Sequence, residues 1–321
     1  MKIVVGDRNL LPHRVLFESL LPAGSEVRWL PDGNELADAD VYVGGRFTAA
    51  QAQAAPKLRL VHVAGAGTDK VEFAALGPDT VVANTFHHEN SIAEYIVAAA
   101  VMMRRGFLAQ DRALRTDRWA SSVYDDTLAQ PRSLGGAKVG FVGYGHIGRR
   151  AWELLRAFGA EGRAVTGRGN VDAASHGLSW AEDNSALTRL LREVDLVVVS
   201  APLTESTRGM IGADQLNALG GDGVLINVGR GPLVDEQALY EALTDRTIAG
   251  AAIDVWYSYP GDEGRGAPSA FPFADLPNVL MTPHSSGVTG DTFVGRVHDI
   301  AENIGRLDRG EPLLRIVDGT R

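Results

Sequence analysis

The chain has no cysteine among its 321 residues. That excludes disulfides, thiolate metal sites and a cysteine nucleophile, and no metal site is expected. It has no excess of positive charge: the formal net charge is −9, which argues against a general binder of nucleic-acid backbone. It has no long apolar run. The stretch Ile96 to Met103 falls far short of the roughly 18 residues that a bilayer requires. The opening residues Met1 to Asp7 read as a strand entering a turn and lack the apolar stretch and small-residue cleavage site of a secretory leader. A cytoplasmic protein without membrane or nucleic-acid partners is the expectation. Internal repeats and low-complexity tracts are also missing. What remains is ordinary globular composition, 45% hydrophobic and 22% charged, in a chain long enough for two cores.

Short β-rich runs alternate with helical patterns, which predicts parallel sheets covered by helices, an α/β fold. In the first part the expected strands are 2–5, 27–30, 41–43, 60–63 and 81–83, with helices over 13–20 and 49–55. A long helical segment runs from about Ser91 to Arg104. A second strand series follows at 138–142, 162–165, 196–200, 224–227, 248–253 and 279–282, six strands in all, and a last helix covers about 290–308. Six strands with intervening helices suit a complete doubly wound domain.

Gly143-Tyr-Gly145-His146-Ile147-Gly148 follows the apolar strand 138–142 and opens a helix over 149–158. G-x-G-x-x-G alone is weak evidence, and an ordinary glycine-rich turn is the bland reading. Between a strand and a helix, however, the motif has a mechanism. The first glycine permits the tight turn, the second lets backbone approach a pyrophosphate, and the third lets helix and strand pack. The next strand ends Thr166-Gly-Arg168, with no carboxylate where an NAD site places one for the ribose hydroxyls. A guanidinium can fork onto a 2′-phosphate that a carboxylate would repel. NADP(H) is therefore favoured, with Thr166 as a hydroxyl donor, and NAD(H) remains possible because Asp172 lies farther on. A solvated or adenine-stacking Arg168 is the competing reading.

The order and content of Ala64-Gly65-Ala66-Gly67-Thr-Asp69, Ser91-Ile-Ala-Glu94, Pro202-Leu-Thr204, Asn227-Val228-Gly229-Arg230-Gly231, Ala252-Ile-Asp254-Val255 and Thr282-Pro-His284 resemble the D-isomer-specific 2-hydroxyacid dehydrogenases over nearly the whole chain. Thr166-Gly-Arg168 is similar to the NADP-preferring glyoxylate/hydroxypyruvate reductase branch. The resemblance implies two Rossmann-like doubly wound parallel-sheet domains with a cleft between them, in a homodimer. Residues 1–93 plus 289–321 would form a discontinuous substrate domain, and 94–288 the dinucleotide-binding domain. It also implies an oxidoreductase moving a hydride between nicotinamide C4 and C2 of a small anionic 2-oxo or D-2-hydroxy acid.

By that resemblance Arg230 binds the substrate carboxylate and polarises the oxo group, a task suited to a bidentate fork, and His284 handles the proton. A lone histidine is more often structural, but one at a strand end among these motifs reads as catalytic. Gly65, Ala66 and Gly67 resemble the loop that offers backbone N–H groups to the carboxylate. Asp254 would accept the nicotinamide amide. Pro202, Thr207, Val228 and Gly229 would line the cofactor with Gly143, Gly145, His146, Ile147, Gly148, Thr166 and Arg168. Arg46 could add charge to the substrate site, although a surface arginine is the simpler reading.

Asp254-Val-Trp-Tyr-Ser-Tyr259-Pro260 departs from the family pattern, which places a glutamate at the position of Tyr259 to polarise the histidine. Tyr259 can orient the ring without charging it, and Asp262 or Glu263 folding back is the alternative. A site that has lost acid chemistry is another, as in formate dehydrogenases. Oxidation of an anion of the formate or phosphite type, or a catalytically weak dinucleotide sensor, therefore stay as other functions. His87 and His88, in the unusual run Phe86-His-His-Glu-Asn90, could supply positive charge for a dianionic substrate or simply form a solvated loop.

Overall fold

The computed structural model describes residues 1–30, 35–261 and 263–318. The chain divides into two compact units: Met1–His88 together with the segment from Val288 onward, and Glu89–Gly287. The first crossing falls at the start of the helix Glu89–Arg105, which belongs whole to the second unit. Among the described residues, no helix is long and apolar enough to cross a membrane.

The first unit holds a five-stranded sheet of order β2-β1-β3-β4-β5. Its strands are β1 (Lys2–Val5), β2 (Glu26–Trp29), β3 (Val41–Val43), β4 (Leu60–His62) and β5 (Val81–Ala83), all parallel. Both faces are covered, so the central strands are apolar throughout instead of alternating. Ile3, Val5, Val41 and Leu60 face the helix Gly290–Arg309 through its Phe293, Val297, Ile300 and Ile304. That spacing lays one apolar stripe along the helix. Val4, Tyr42, Val61 and Val82 pack with Phe47 on the other face.

The segment after this helix runs along β5. Ile316 bridges Ala83 in antiparallel sense, and Asn303 clasps Leu314 through both its amide groups. The Asn303 amide also reaches the buried His62 Nε2 at 3.0 Å. An amide N–H only donates, so this ring nitrogen accepts and the imidazole is neutral. Burial pushes His62 from its ordinary 6.5 down to about 4. Unfolded chains take up this proton near pH 6.5 and the folded unit does not, so the contribution is complete above pH 6.5 and disappears as pH falls towards 4. It amounts to about 3 kcal/mol. Denaturant midpoints measured between pH 7 and 4 should fall more steeply for wild type than for His62→Gln. Equal slopes would remove His62 from the account.

The second unit holds a seven-stranded parallel sheet of order β12-β11-β10-β9-β6-β7-β8. Its strands are β6 (Lys138–Val142), β7 (Glu161–Thr166), β8 (Trp180–Asp183), β9 (Leu196–Val199), β10 (Val224–Asn227), β11 (Gly250–Ile253) and β12 (Val279–Met281). Sequence patterning predicts six of these. The missed strand is β8, an edge strand paired only with β7, whose Trp-Ala-Glu-Asp has no continuous apolar run because none of it is fully buried. Two cores sandwich the sheet. Val197, Val199 and Leu225 point one way, and Leu196, Val198 and Ile226 point the other, towards Ile96, Trp152 and Leu155. The chain reverses its lateral progress between β6 and β9, so a crevice opens there at the C-terminal strand ends.

Candidate active site

The segments singled out in the second unit leave the sheet at one edge, the C-terminal ends of its strands. Following the sheet order, these are the loop of His284 after β12, Asp254 after β11, Arg230 after β10, Pro202 after β9, the glycine turn after β6, and Thr166 to Arg168 at β7. In a doubly wound sheet this edge is where ligands bind.

At the glycine turn, Gly143 adopts φ +90°, and a Cβ there would stand 2.6 Å from the Ala201 nitrogen. Only glycine lets β6 turn this close to the end of β9. A Cβ on Gly148 would stand 2.8 Å from the Gly143 carbonyl, whereas at Gly145 nothing lies within 4 Å. Gly145 is the N-cap of the helix His146–Ala157 and is exposed. Open space before the positive end of a twelve-residue helix fits a pyrophosphate. The helix starts three residues earlier than the sequence suggests, so His146, Ile147 and Gly148 form its first turn. The Thr166 hydroxyl accepts from Gly169 N–H at 3.1 Å and keeps its own hydrogen to donate. That bond shapes the turn carrying the exposed Arg168.

The chemical end is built around Asp254, which is fully buried. One carboxylate oxygen accepts from Thr282 Oγ1 at 2.6 Å, Ser285 N at 2.9 Å and Ser286 N at 3.2 Å. The other accepts from Ser286 N at 3.1 Å and from the Ser286 hydroxyl. A buried carboxylate demands such bonds, and here they make Asp254 the clasp of the histidine loop. Its oxygens bond residues 282–286. The Thr282 hydroxyl gives its one hydrogen to Asp254, so Tyr95, 3.0 Å away, donates to it. The Trp256 indole donates to the Thr282 carbonyl at 2.8 Å.

Held this way, His284 adopts φ +56° and is exposed. A left-handed histidine is uncommon and persists where surrounding bonds over-determine it. Its Nδ1 lies 2.9 Å from the Tyr259 hydroxyl, which also accepts the Trp256 N–H at 3.3 Å. Glu263 is exposed, and Asp262 lies outside the described residues.

Arg230 follows β10 and is half-buried, its Nη1 donating to the Gly229 carbonyl at 2.9 Å. The Asn227 side chain staples the turn, donating to the Arg230 carbonyl and accepting from Gly229 N–H, both at 3.1 Å. A Cβ on Gly231 would stand 2.5 Å from the Trp256 carbonyl, so glycine lets the arginine turn press against the segment after Asp254.

Thr207 and Val228 each have partners within the second unit. The Thr207 hydroxyl donates to the Pro202 carbonyl and accepts from Thr204 N–H, both at 2.8 Å. Thr207 is buried and ties its own loop together, leaving the exposed Pro202 as that loop's outer residue. Val228 packs in the core and its N–H donates to the Val199 carbonyl at 3.0 Å.

In the first unit, His88 is buried and its Nδ1 lies 3.2 Å from Nη2 of Arg296. A guanidinium only donates, so His88 accepts and is neutral. The charged group beside it is the Arg296 guanidinium, a neighbour that sequence spacing does not indicate. His87 faces the Asp299 carboxylate at 2.8 Å, beside Arg315. Burial works to raise the Asp299 carboxyl, but hydrogen bonds from Thr85, Arg315 and His87 bring it below its usual range. Gly65, Ala66 and Gly67 follow β4 at the C-terminal edge of their sheet, and Arg46 is exposed beyond β3.

The glycine turn at the switch point, with an arginine and a histidine along the same edge, defines a dinucleotide-dependent oxidoreductase by its parts. Residues 97–286 match the family described as "D-isomer specific 2-hydroxyacid dehydrogenase, NAD binding domain". The chain is 31% identical over 261 residues to the glycerate dehydrogenase of Methylorubrum extorquens, covering 80% of this chain and 78% of that one. It is also 31% identical over 271 residues to the mitochondrial formate dehydrogenase of Solanum tuberosum, covering 82% and 67%. The crystal structure of an NADPH-dependent glyoxylate/hydroxypyruvate reductase from Sinorhizobium meliloti, in complex with citrate, superposes with a TM-score of 0.80. That match has 30% identity and covers 98% of this chain and 96% of that one. The chain belongs to the D-isomer-specific 2-hydroxyacid dehydrogenases. It is an NAD(P)-dependent hydride-transfer oxidoreductase of small 2-oxo and D-2-hydroxy acids.

Proposed function

We propose that the chain is an NADP(H)-preferring reductase that converts small 2-oxo acids to D-2-hydroxy acids. The observation that carries this reading is the shared strand edge, which bears Arg230 and His284 on either side of Asp254 and, farther along, the glycine turn and Arg168. The cofactor would be held by the open backbone at Gly145, the first turn at His146 to Gly148, and the Thr166–Arg168 turn. When bound, it supplies the hydride to C2. Arg230 binds the carboxylate beside the oxo group and steadies charge developing on the carbonyl oxygen. In the first unit, the small-residue loop Gly65, Ala66 and Gly67 is suited to offer N–H groups to a carboxylate. His284 delivers a proton to that oxygen.

Tyr259 takes the place of the family's glutamate in this reading. In imidazolium both ring nitrogens carry hydrogen: Nδ1–H donates to the Tyr259 oxygen and Nε2–H goes to substrate. The tyrosine aims the ring through its bond from Trp256 but contributes no negative charge. A carboxylate partner raises a histidine pKa by about 1–3 units, so a glutamate introduced at residue 259 should move the histidine-dependent limb of reduction to higher pH.

Arg168 supports the NADP preference. Its fork on a 2′-phosphate is a charge-assisted contact of about 1.5–3 kcal/mol, roughly 10–100-fold in kcat/KM. Arg168→Asp should lower NADPH efficiency by that factor and raise NADH efficiency. An unchanged cofactor ratio would reject the assignment. The substrate class is tested by following NADPH and NADH oxidation with glyoxylate, hydroxypyruvate, phenylpyruvate, oxaloacetate and phosphonopyruvate. Turnover of none of them would overturn the reductase reading. A second reading, oxidation of formate or phosphite, is favoured by the neutral Tyr259 and the likeness to the Solanum tuberosum enzyme. Cofactor reduction by either anion in the same assay would select it.

A cytoplasmic homodimer is part of the proposal. The exposed Trp119, Val123 and Tyr124, between the helix Phe107–Leu114 and β6, offer apolar surface to a second copy. Sedimentation as a monomer would remove that element.

A further inference from the structure

Within the first unit, one carboxylate gathers two segments that lie far from it in sequence. Asp299, on the helix Gly290–Arg309, has a side chain only 15% exposed. Its Oδ2 accepts from the Thr85 hydroxyl at 2.5 Å and His87 Nε2 at 2.8 Å, both just after β5, and from Arg315 Nη1 at 2.6 Å. An ionised carboxylate only accepts, so all three groups donate. Two of them sit on left-handed backbone, His87 at φ +67° and Arg315 at φ +54°. Non-glycine residues keep that conformation where other contacts over-determine it, and here both converge on the same oxygen. A Cβ on Gly295 would stand 2.5 Å from His87 Nδ1, so glycine one turn before Asp299 makes room for the imidazole.

Arg315 closes a ring. Its side chain donates to Asp299 while its carbonyl accepts from Asn84 N–H at 3.2 Å, and Asn84 adjoins Thr85 in the chain. Asn84 and Thr85 are both buried. The same two residues hold the small-residue loop after β4. Thr85 N–H donates to the Gly65 carbonyl at 3.2 Å, and Asn84 Nδ2 to the Ala66 carbonyl at 2.9 Å. A trans peptide is planar, with its N–H opposed to its C=O. Tying the Gly65 and Ala66 carbonyls back to the end of β5 therefore turns the N–H groups of Ala66 and Gly67 the other way. A carbonyl facing outward would repel an anion, whereas successive N–H groups attract one.

We infer that Asp299 is a positioning residue for the small-residue loop: through Thr85, and through Arg315 and Asn84, it fixes the direction in which Ala66 and Gly67 offer their N–H groups to a substrate carboxylate. The inference rests on the reductase reading above, which gives that loop its anion. Two routes run from one oxygen to two adjacent carbonyls, so the pair of peptides is held against rotation. The charge matters as well as the geometry. An amide in place of the carboxylate has a single acceptor oxygen and brings two donors of its own towards Thr85, His87 and Arg315.

The test is Asp299→Asn, which keeps the size of the side chain and removes its charge. KM for glyoxylate should rise about tenfold, as for one charge-assisted hydrogen bond lost. The KM for NADPH and kcat at saturating glyoxylate should stay within about twofold, the pattern of lost ground-state binding. Arg315→Gln, at the more exposed end of the ring, should raise the same KM by a smaller factor, and Arg315→Lys should restore part of it. Because Thr85→Val interrupts the same route, Asp299→Asn combined with Thr85→Val should cost no more than the larger single change. Costs that multiply reject the route. In proton–nitrogen correlation spectra the amide signals of Ala66 and Gly67 should move in Asp299→Asn while that of Gly145 stays in place. A purely structural role lowers Tm and leaves KM alone, and that result, or unmoved Ala66 and Gly67 signals, overturns the inference while the reductase reading stands. Should Asp299→Asn fail to fold, Arg315→Gln decides by the same readouts. If wild type reduces no 2-oxo acid, the reductase reading fails, and titration with oxalate followed at the Ala66 and Gly67 amides decides the loop alone. A Kd weakened about tenfold in Asp299→Asn supports the inference, and equal Kd values or no binding to wild type reject it.

Discussion

Replacing His284 with glutamine lowers kcat for 2-oxo acid reduction by about 10²–10⁴, the ordinary contribution of a positioned acid, while NADPH binding stays near wild type. The large effect follows from how the ring is held. Asp254 holds the segment around His284 through the Thr282 hydroxyl on one side and the Ser285 and Ser286 N–H groups on the other, and the Tyr259 hydroxyl lies at Nδ1. Glutamine keeps a polar side chain on the same clasped loop, so the loss is one of proton delivery and not of folding. The pH–rate profile should lose its histidine limb with it. Tyr259→Glu is the complementary change. It adds a carboxylate at Nδ1, raises the pKa of His284, and carries the high-pH limb of reduction upward, because an acid stays protonated below its pKa. Profiles of Tyr259→Glu and wild type that superimpose would defeat the proposed role of the tyrosine. A kcat for His284→Gln within threefold of wild type would remove His284 from the chemistry.

Arg230→Gln should cost about 10²–10³ in kcat/KM, the loss seen when one donor to a developing oxyanion is removed. The sequence context concentrates this effect. Asn227 pins the carbonyl of Arg230 and the N–H of Gly229, and Gly231 lets the turn lie against Trp256, so the guanidinium starts from a fixed base. Arg230→Lys retains the charge but not the fork and should recover only part of the loss. Steady-state kinetics with a single 2-oxo acid, alongside NADPH titration, separate this from collapse of the turn. Retained kcat/KM in Arg230→Gln would reject the assignment. Lost cofactor binding would instead assign the residue to the scaffold.

Several features are legible in the sequence. The glycine turn is readable because the spacing of its glycines between a strand and a helix is local, although the neighbour that makes Gly143 obligatory, Ala201 at the end of β9, is not. The central strands were readable because burial on both faces writes itself as continuous apolar runs. Edge strand β8 was not, since a strand with one partner and a solvated side has no such run. The hydrogen-bond partners of Asp254 and Thr207 were not legible either. Their motifs were visible, but whether a polar side chain points to a ligand or clasps its own loop depends on atoms that sequence spacing does not locate.

His88 and Arg296 illustrate the boundary. Residues 88 and 296 are 208 positions apart, and nothing in either local pattern says that one accepts from the other. The sequence by itself determined the alternation of strands and helices, the dinucleotide turn, and the presence of an arginine and a histidine at strand ends. These rest on periodicity and short-range backbone sterics. Only the tertiary structure decided that Asp254 holds the histidine loop, that Tyr259 meets Nδ1, and that the charge beside His88 is a guanidinium. Hydrogen bonds act over about 3 Å in space, and the fold alone brings distant residues within that range.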